Sequence, residues 1–186
     1  MDNISRSLAA ARSETHLGAL STIEGNSRTP MFIASLVLIL VAETYFVLTT
    51  LVDFSPLNNV KSATRRERIA EVAINAPIMI VPAILVVLAA VFKLALLAWI
   101  GGAAELIIAL GGVLTWWPPY LFGRSMPWAT AGSDDSWPEL HARTYSETII
   151  VLPRIGDRPR PNLEHMILHS LILAGAILAF VYAATQ

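Results

Sequence analysis

Four apolar runs stand apart from the polar stretches that separate them, covering residues 31–54, 72–92, 94–117 and 163–184. A helix needs about 20 apolar residues to cross a bilayer, and in hydrocarbon every backbone polar group must be satisfied within the segment. The pattern predicts an all-α integral membrane four-helix bundle over residues 30–186, preceded by a polar tail over residues 1–29. Ile4 and Leu8 are spaced for a short surface helix, but Gly18, Gly25 and Asn26 favour a tail without lasting structure.

Punctuation residues set the boundaries. Pro30 suits the opening of the first span, and Phe54-Ser-Pro-Leu-Asn-Asn59 carries turn signals that close it. Lys61 to Glu71 is densely charged and reads as a cytoplasmic loop, with Lys61, Arg65 and Arg68 on one side if it is helical. Pro77 and Pro82 interrupt the second span and predict a kink. Lys93 alone divides spans two and three, which predicts a tight antiparallel hairpin. Trp116, Trp117 and Tyr120 form an interfacial aromatic belt at the end of the third span, where Pro118-Pro119 is expected to stop the helix.

The loop over residues 118–162 carries its own helix signal. Ser136 and Glu139 match a capping box, which predicts an amphipathic loop helix through about Leu152 with His141, Tyr145 and Thr148 on one side. Asn162 is placed to cap the last span, and no internal repeat is evident.

Composition agrees with the pattern. Only 15% of residues are charged and 55% are hydrophobic, whereas a soluble domain carries about 25% charged residues. A net charge of -1 gives no electrostatic case for nucleic acid. The absence of cysteine removes disulfides, thiolate ligands and palmitoylation. No short apolar core with a cleavage site precedes Met31, so that run is expected to be retained as a span. Arg6, Arg12, Arg28 and Lys93 fall on the side of the termini. Lys61, Arg65, Arg66, Arg68, Arg124, Arg143, Arg154, Arg158 and Arg160 fall on the other. Positive charge marks the cytoplasmic side, which predicts a plasma (inner) membrane protein with both termini outside.

The candidate chemistry is carried by polar residues inside the apolar runs. Glu43 and Glu105 each lie roughly 11 residues into their spans, about 16 Å at 1.5 Å per residue. Those spans run in the same direction, so both acids fall in one layer, and acids that meet can share a proton. Glu105 shares a helix face with Ala98, Gly101, Gly102, Ala109 and Gly112, the small-residue spacing that builds membrane helix interfaces. This constellation predicts binding or translocation of a proton, cation or small solute, with Thr50 and Asn75 as polar lining and Pro77 and Pro82 as the flexible element.

A second constellation is His165 and His169, four apart on the last span, with His141 and Glu139 as further ligands from the loop. That spacing suits one metal ion or an axial haem ligand and gives the alternative of a membrane oxidoreductase. Met166 stands where a zinc-protease signature requires Glu. With histidines on a single span, the ligand geometry is poor for a di-iron bundle. Arg154, Arg158 and Arg160 in the Pro-rich linker are candidates for anionic lipid headgroups. A third class is an accessory subunit that packs through its small-residue face against other membrane subunits or a second copy. No phosphate-cradling loop and no Gly-x-Ser-x-Gly element occurs, which disfavours nucleotide-driven and hydrolase chemistry.

Overall fold

A computed structural model describes residues 28–130 and 133–186. The polar tail over residues 1–27 lies outside the described residues. Among the described residues six α-helices follow in order: α1 (Arg28–Leu51), α2 (Arg65–Met79), α3 (Val81–Phe92), α4 (Ala95–Phe122), α5 (Trp137–Thr144) and α6 (Leu163–Ala184), with a short 3-10 turn at Pro127–Thr130. No strand occurs among the described residues. Four passages are long and apolar enough to cross a membrane: α1, α2 with α3, α4, and α6.

Boundaries differ from the sequence expectation wherever a side chain takes over the backbone. α1 is described from Arg28 and ends at Leu51, not Phe54. Asn58 reaches back to that end: its Nδ2 donates to Thr49 O at 2.7 Å and Val52 O at 2.6 Å, and its Oδ1 accepts from Phe54 N at 3.0 Å. α2 starts seven residues before the expected span, because Thr64 and Glu67 form a reciprocal capping box. The charged run from Arg65 is therefore the first turns of a helix, and Lys61 lies outside it in a turn.

Pro82 removes one ladder donor and opens α3, so the second passage breaks at Ile80. Lys93 then closes α3 in the left-handed region, at φ 53° and ψ 42°, and makes the hairpin turn to α4. Pro118 and Pro119 do not stop α4, which continues to Phe122. Proline's fixed φ suits a helix, and buried Pro119 and Tyr120 hold this last turn in place. The stop is Gly123, at φ 67°, whose N–H returns to the carbonyls of Pro118 and Pro119.

α5 ends at Thr144, short of Leu152. Beyond it the chain exchanges helical bonds for tertiary ones: Ile149 N donates to Pro56 O at 3.0 Å, and Leu163 N donates to Ile149 O at 2.8 Å. Tyr145 meanwhile packs edge-on against Trp116, with ring centroids 5.0 Å apart.

α4 is the central helix, packed on α3 and α6. One core cluster joins Ile39, Val86, Ala98 and Ala179 near the α3–α4 turn. A second joins Phe46, Met79, Ala109 and Leu168 nearer the loops, and a third is the aromatic group Trp116, Trp137 and Tyr145. The outer faces are apolar as well, with Leu96 and Ile107 each 68% exposed.

Candidate functional site

Small residues on α4 and α6 decide where the polar side chains go. Glu105 is 2% exposed, on the same face as buried Ala98, Gly101, Gly102 and Ala109. Its carboxyl fits into the space left by Gly175 on α6: a Cβ there would stand 3.1 Å from Glu105 Oε1 and 3.2 Å from Ile39 Cγ1. Glu43 on α1 is half-buried, and its charge bears on the Glu105 carboxyl. The Oε2 atom of Glu43 is enclosed with no hydrogen-bond partner among the described residues. Glu43 follows Ile39 by one turn of α1, Ile39 and the Glu105 carboxyl both lie against Gly175, and among the described residues no hydrogen bond joins the two acids.

The two polar residues expected beside them are elsewhere. Thr50 bonds its own helix, donating to Phe46 O at 2.8 Å. Asn75 donates to Glu71 O at 3.0 Å and lines a cavity at the loop end.

The α4–α6 seam continues from the acids toward that loop end. His169 occupies the notch over Gly112, where any Cβ would collide with the imidazole ring. One turn on, His165 lies 6.0 Å from His169 between ring centroids and packs at a tilt of 42° against Trp116, with centroids 4.2 Å apart. Asn162 Oδ1 accepts the His165 backbone N–H at 3.1 Å and lies 2.7 Å from Nδ1. That arrangement places the ring proton on Nδ1 and leaves the Nε2 lone pair free.

His141 is fixed differently. Its Nε2 lies 2.9 Å from Arg160 O and 3.3 Å from Arg160 N, and the shorter contact is the one in which the ring nitrogen donates. Burial holds its imidazole below the ordinary value of 6.5, outweighing the support from that carbonyl. The loop ligands expected for a metal do not assemble: Glu139 is engaged by Ser136 in the α5 capping box. Among the described residues, no three His, Asp or Glu side chains are grouped to hold one ion.

The loop end also holds groups that the sequence reading did not bring together. Glu71, Tyr145 and His165 face a cavity of about 290 Å³, together with Trp116, Trp128 and Trp137. Burial, followed by the charges of Glu71 and Glu164, pushes the Tyr145 phenol well above its ordinary value of 10.0. Glu164 is 5% exposed, and Tyr45 donates to its backbone carbonyl at 3.4 Å. Arg143 of α5 clamps this end, pairing with Glu67 at 2.5 Å and Asp135 at 2.8 Å. Thr64 and Glu67 repeat the spacing of Ser136 and Glu139, and Glu71 follows Glu67 by one turn. That signal would have extended α2 and placed Glu71 on a helix.

Two of the three linker arginines are tied to the protein. Arg158 donates to Leu121 O in the last turn of α4, where a cation complements the helix C-terminus. Arg160 donates to Leu152 O at 3.1 Å, and Arg154 is exposed.

Compared with protein-family models, curated proteins and solved structures, the chain has no match.

Proposed function

We propose that this chain is a four-span integral membrane protein that binds and passes protons through the buried Glu43–Glu105 pair. The observation that carries the reading is the seating of the Glu105 carboxyl against Gly175, with the charge of Glu43 beside it. Insertion is supported by the outward apolar side chains of all four passages, among them Val37, Ile78, Ile107 and Ile177. A carboxyl at the centre of a span costs at least ~2.5 kcal/mol in hydrocarbon, so its place is inside the bundle, facing protonatable partners.

His169 and His165 extend the line of protonatable groups along the α4–α6 seam toward Tyr145 and the loop-end cavity. The free Nε2 of His165 accepts a proton while its Nδ1–H stays on Asn162, as a relay group requires. Ile80, between Pro77 and Pro82, supplies a break at which the second passage can bend. Nine basic residues on the loop side support a topology with that side in the cytoplasm and both termini outside.

The reading is tested in proteoliposomes loaded with a pH-sensitive dye and driven by a potassium diffusion potential. Wild-type protein is expected to acidify the lumen at a rate that falls at least tenfold in Glu105→Gln. Proton flux that persists undiminished in both Glu43→Gln and Glu105→Gln removes the proposal.

A further inference from the structure

The loop-end cavity has walls of a particular chemistry. Trp116 and Tyr145 are 3% and 7% exposed, and their rings meet edge to face with Trp137 beside them. Trp128 completes an aromatic wall from the turn before α5. Opposite the rings, α2 presents Glu67 and Glu71. Glu67 is already matched by Arg143. Glu71 differs: among the described residues no lysine or arginine forms an ion pair with it, nor with Glu164 behind it.

A second observation concerns the indole of Trp137. This residue is 4% exposed and lines the cavity, and its Nε1–H has no hydrogen-bond partner among the described residues. Buried indole N–H groups ordinarily find an acceptor, because leaving one unmade costs about 1–3 kcal/mol. The volume of about 290 Å³ is near the lower end of the ~300–1,000 Å³ range of small-molecule sites.

We propose that this cavity binds a small substituted ammonium group, held by the aromatic faces and Glu71, with the Trp137 indole N–H donating to an acceptor on the same molecule. Aromatic faces attract a cation through the ring quadrupole, most strongly where water is excluded, and alkyl substituents on the ammonium lower its hydration cost. A neutral or anionic ligand leaves Glu71 unmatched. Both a free amino alcohol and the headgroup of a zwitterionic lipid carry this chemistry, the latter being at hand for a cavity beside the spans. Although the proposed proton relay ends at this cavity, binding requires no flux, so the two readings are tested separately.

The test uses the full-length protein in phosphatidylglycerol nanodiscs, titrated with choline and followed by tryptophan fluorescence and calorimetry. Saturable binding is expected, weakened at least tenfold in Glu71→Gln and several-fold in Trp137→Phe. The neutral carbon analogue 3,3-dimethylbutan-1-ol is expected not to bind the wild type. This comparison needs no variant, so it stands even where a substitution disturbs folding. Repeating the titration in phosphatidylcholine nanodiscs separates the sources: choline binding lost there assigns the site to the lipid headgroup, and binding retained assigns it to a free amine. Absence of choline binding in phosphatidylglycerol, or equal binding of the neutral analogue, overturns the proposal.

Discussion

In the seam between α4 and α6, the Glu105 carboxyl fills the space that the absent side chain of Gly175 leaves open, 3.1 Å from where a Cβ would stand. The glycine therefore fixes the position of the acid. Gly175→Val is expected to push Glu105 and Ile39 aside and to cost about 1–3 kcal/mol, the usual range for overpacking a core. Gly175→Ala, whose neighbours need give only slightly, is expected to cost less. Thermal unfolding of the two variants in detergent, followed by circular dichroism, checks the order.

Asn58 holds the end of α1 through three bonds, to Thr49 O, Val52 O and Phe54 N. It is 4% exposed, so its loss leaves the buried Thr49 carbonyl and the partly buried Val52 carbonyl without this donor. Asn58→Ala is expected to destabilise the protein by about 1–3 kcal/mol. Asn58→Asp retains only the acceptor toward Phe54 N and is expected to lie closer to Ala than to wild type in the same unfolding measurement.

Docking of the loop depends on pH through His141. Because burial depresses its proton affinity in the folded protein, protonation costs more folded than unfolded. The contribution is full above about pH 6.5 and is lost as pH falls through the lower folded value. His141→Gln keeps an N–H donor for Arg160 O but does not titrate. Its unfolding temperature, scanned against pH, is expected to fall less steeply than that of wild type below about pH 6.5.

Arg143 joins α5 to α2 through Glu67, and its partners are partly exposed. Exposed pairs contribute about 0.2–1 kcal/mol each, so Arg143→Gln is expected to cost on the order of 1 kcal/mol in total. Hydrogen exchange is expected to rise in α5 while α4 and α6 stay protected.

Much of this architecture was legible in the sequence, because hydrophobic run length is a strong signal: the last span was placed at 163–184, where α6 runs from Leu163 to Ala184. The small-residue spacing on α4 likewise placed Glu105 on a packed face. Boundaries set by side chains were harder. Pro118-Pro119 reads as a stop only if burial of Pro119 and Tyr120 is left out, and Asn58 acts on carbonyls six and nine residues earlier. The loop-end cavity depends on tertiary pairing of α2 with α5, which no local spacing encodes. The sequence offers Thr50 and Asn75 as polar lining because they are polar residues within apolar spans, yet each satisfies a carbonyl of its own helix.

The central claim is that Glu43 and Glu105 act as one titrating unit, and infrared difference spectroscopy of their protonated carboxyl bands against pH tests it most directly. The account predicts that the band assigned to Glu105, identified by its loss in Glu105→Gln, titrates with a midpoint that moves by about one pH unit or more in Glu43→Gln. A Glu105 midpoint that is the same with and without Glu43 would contradict it.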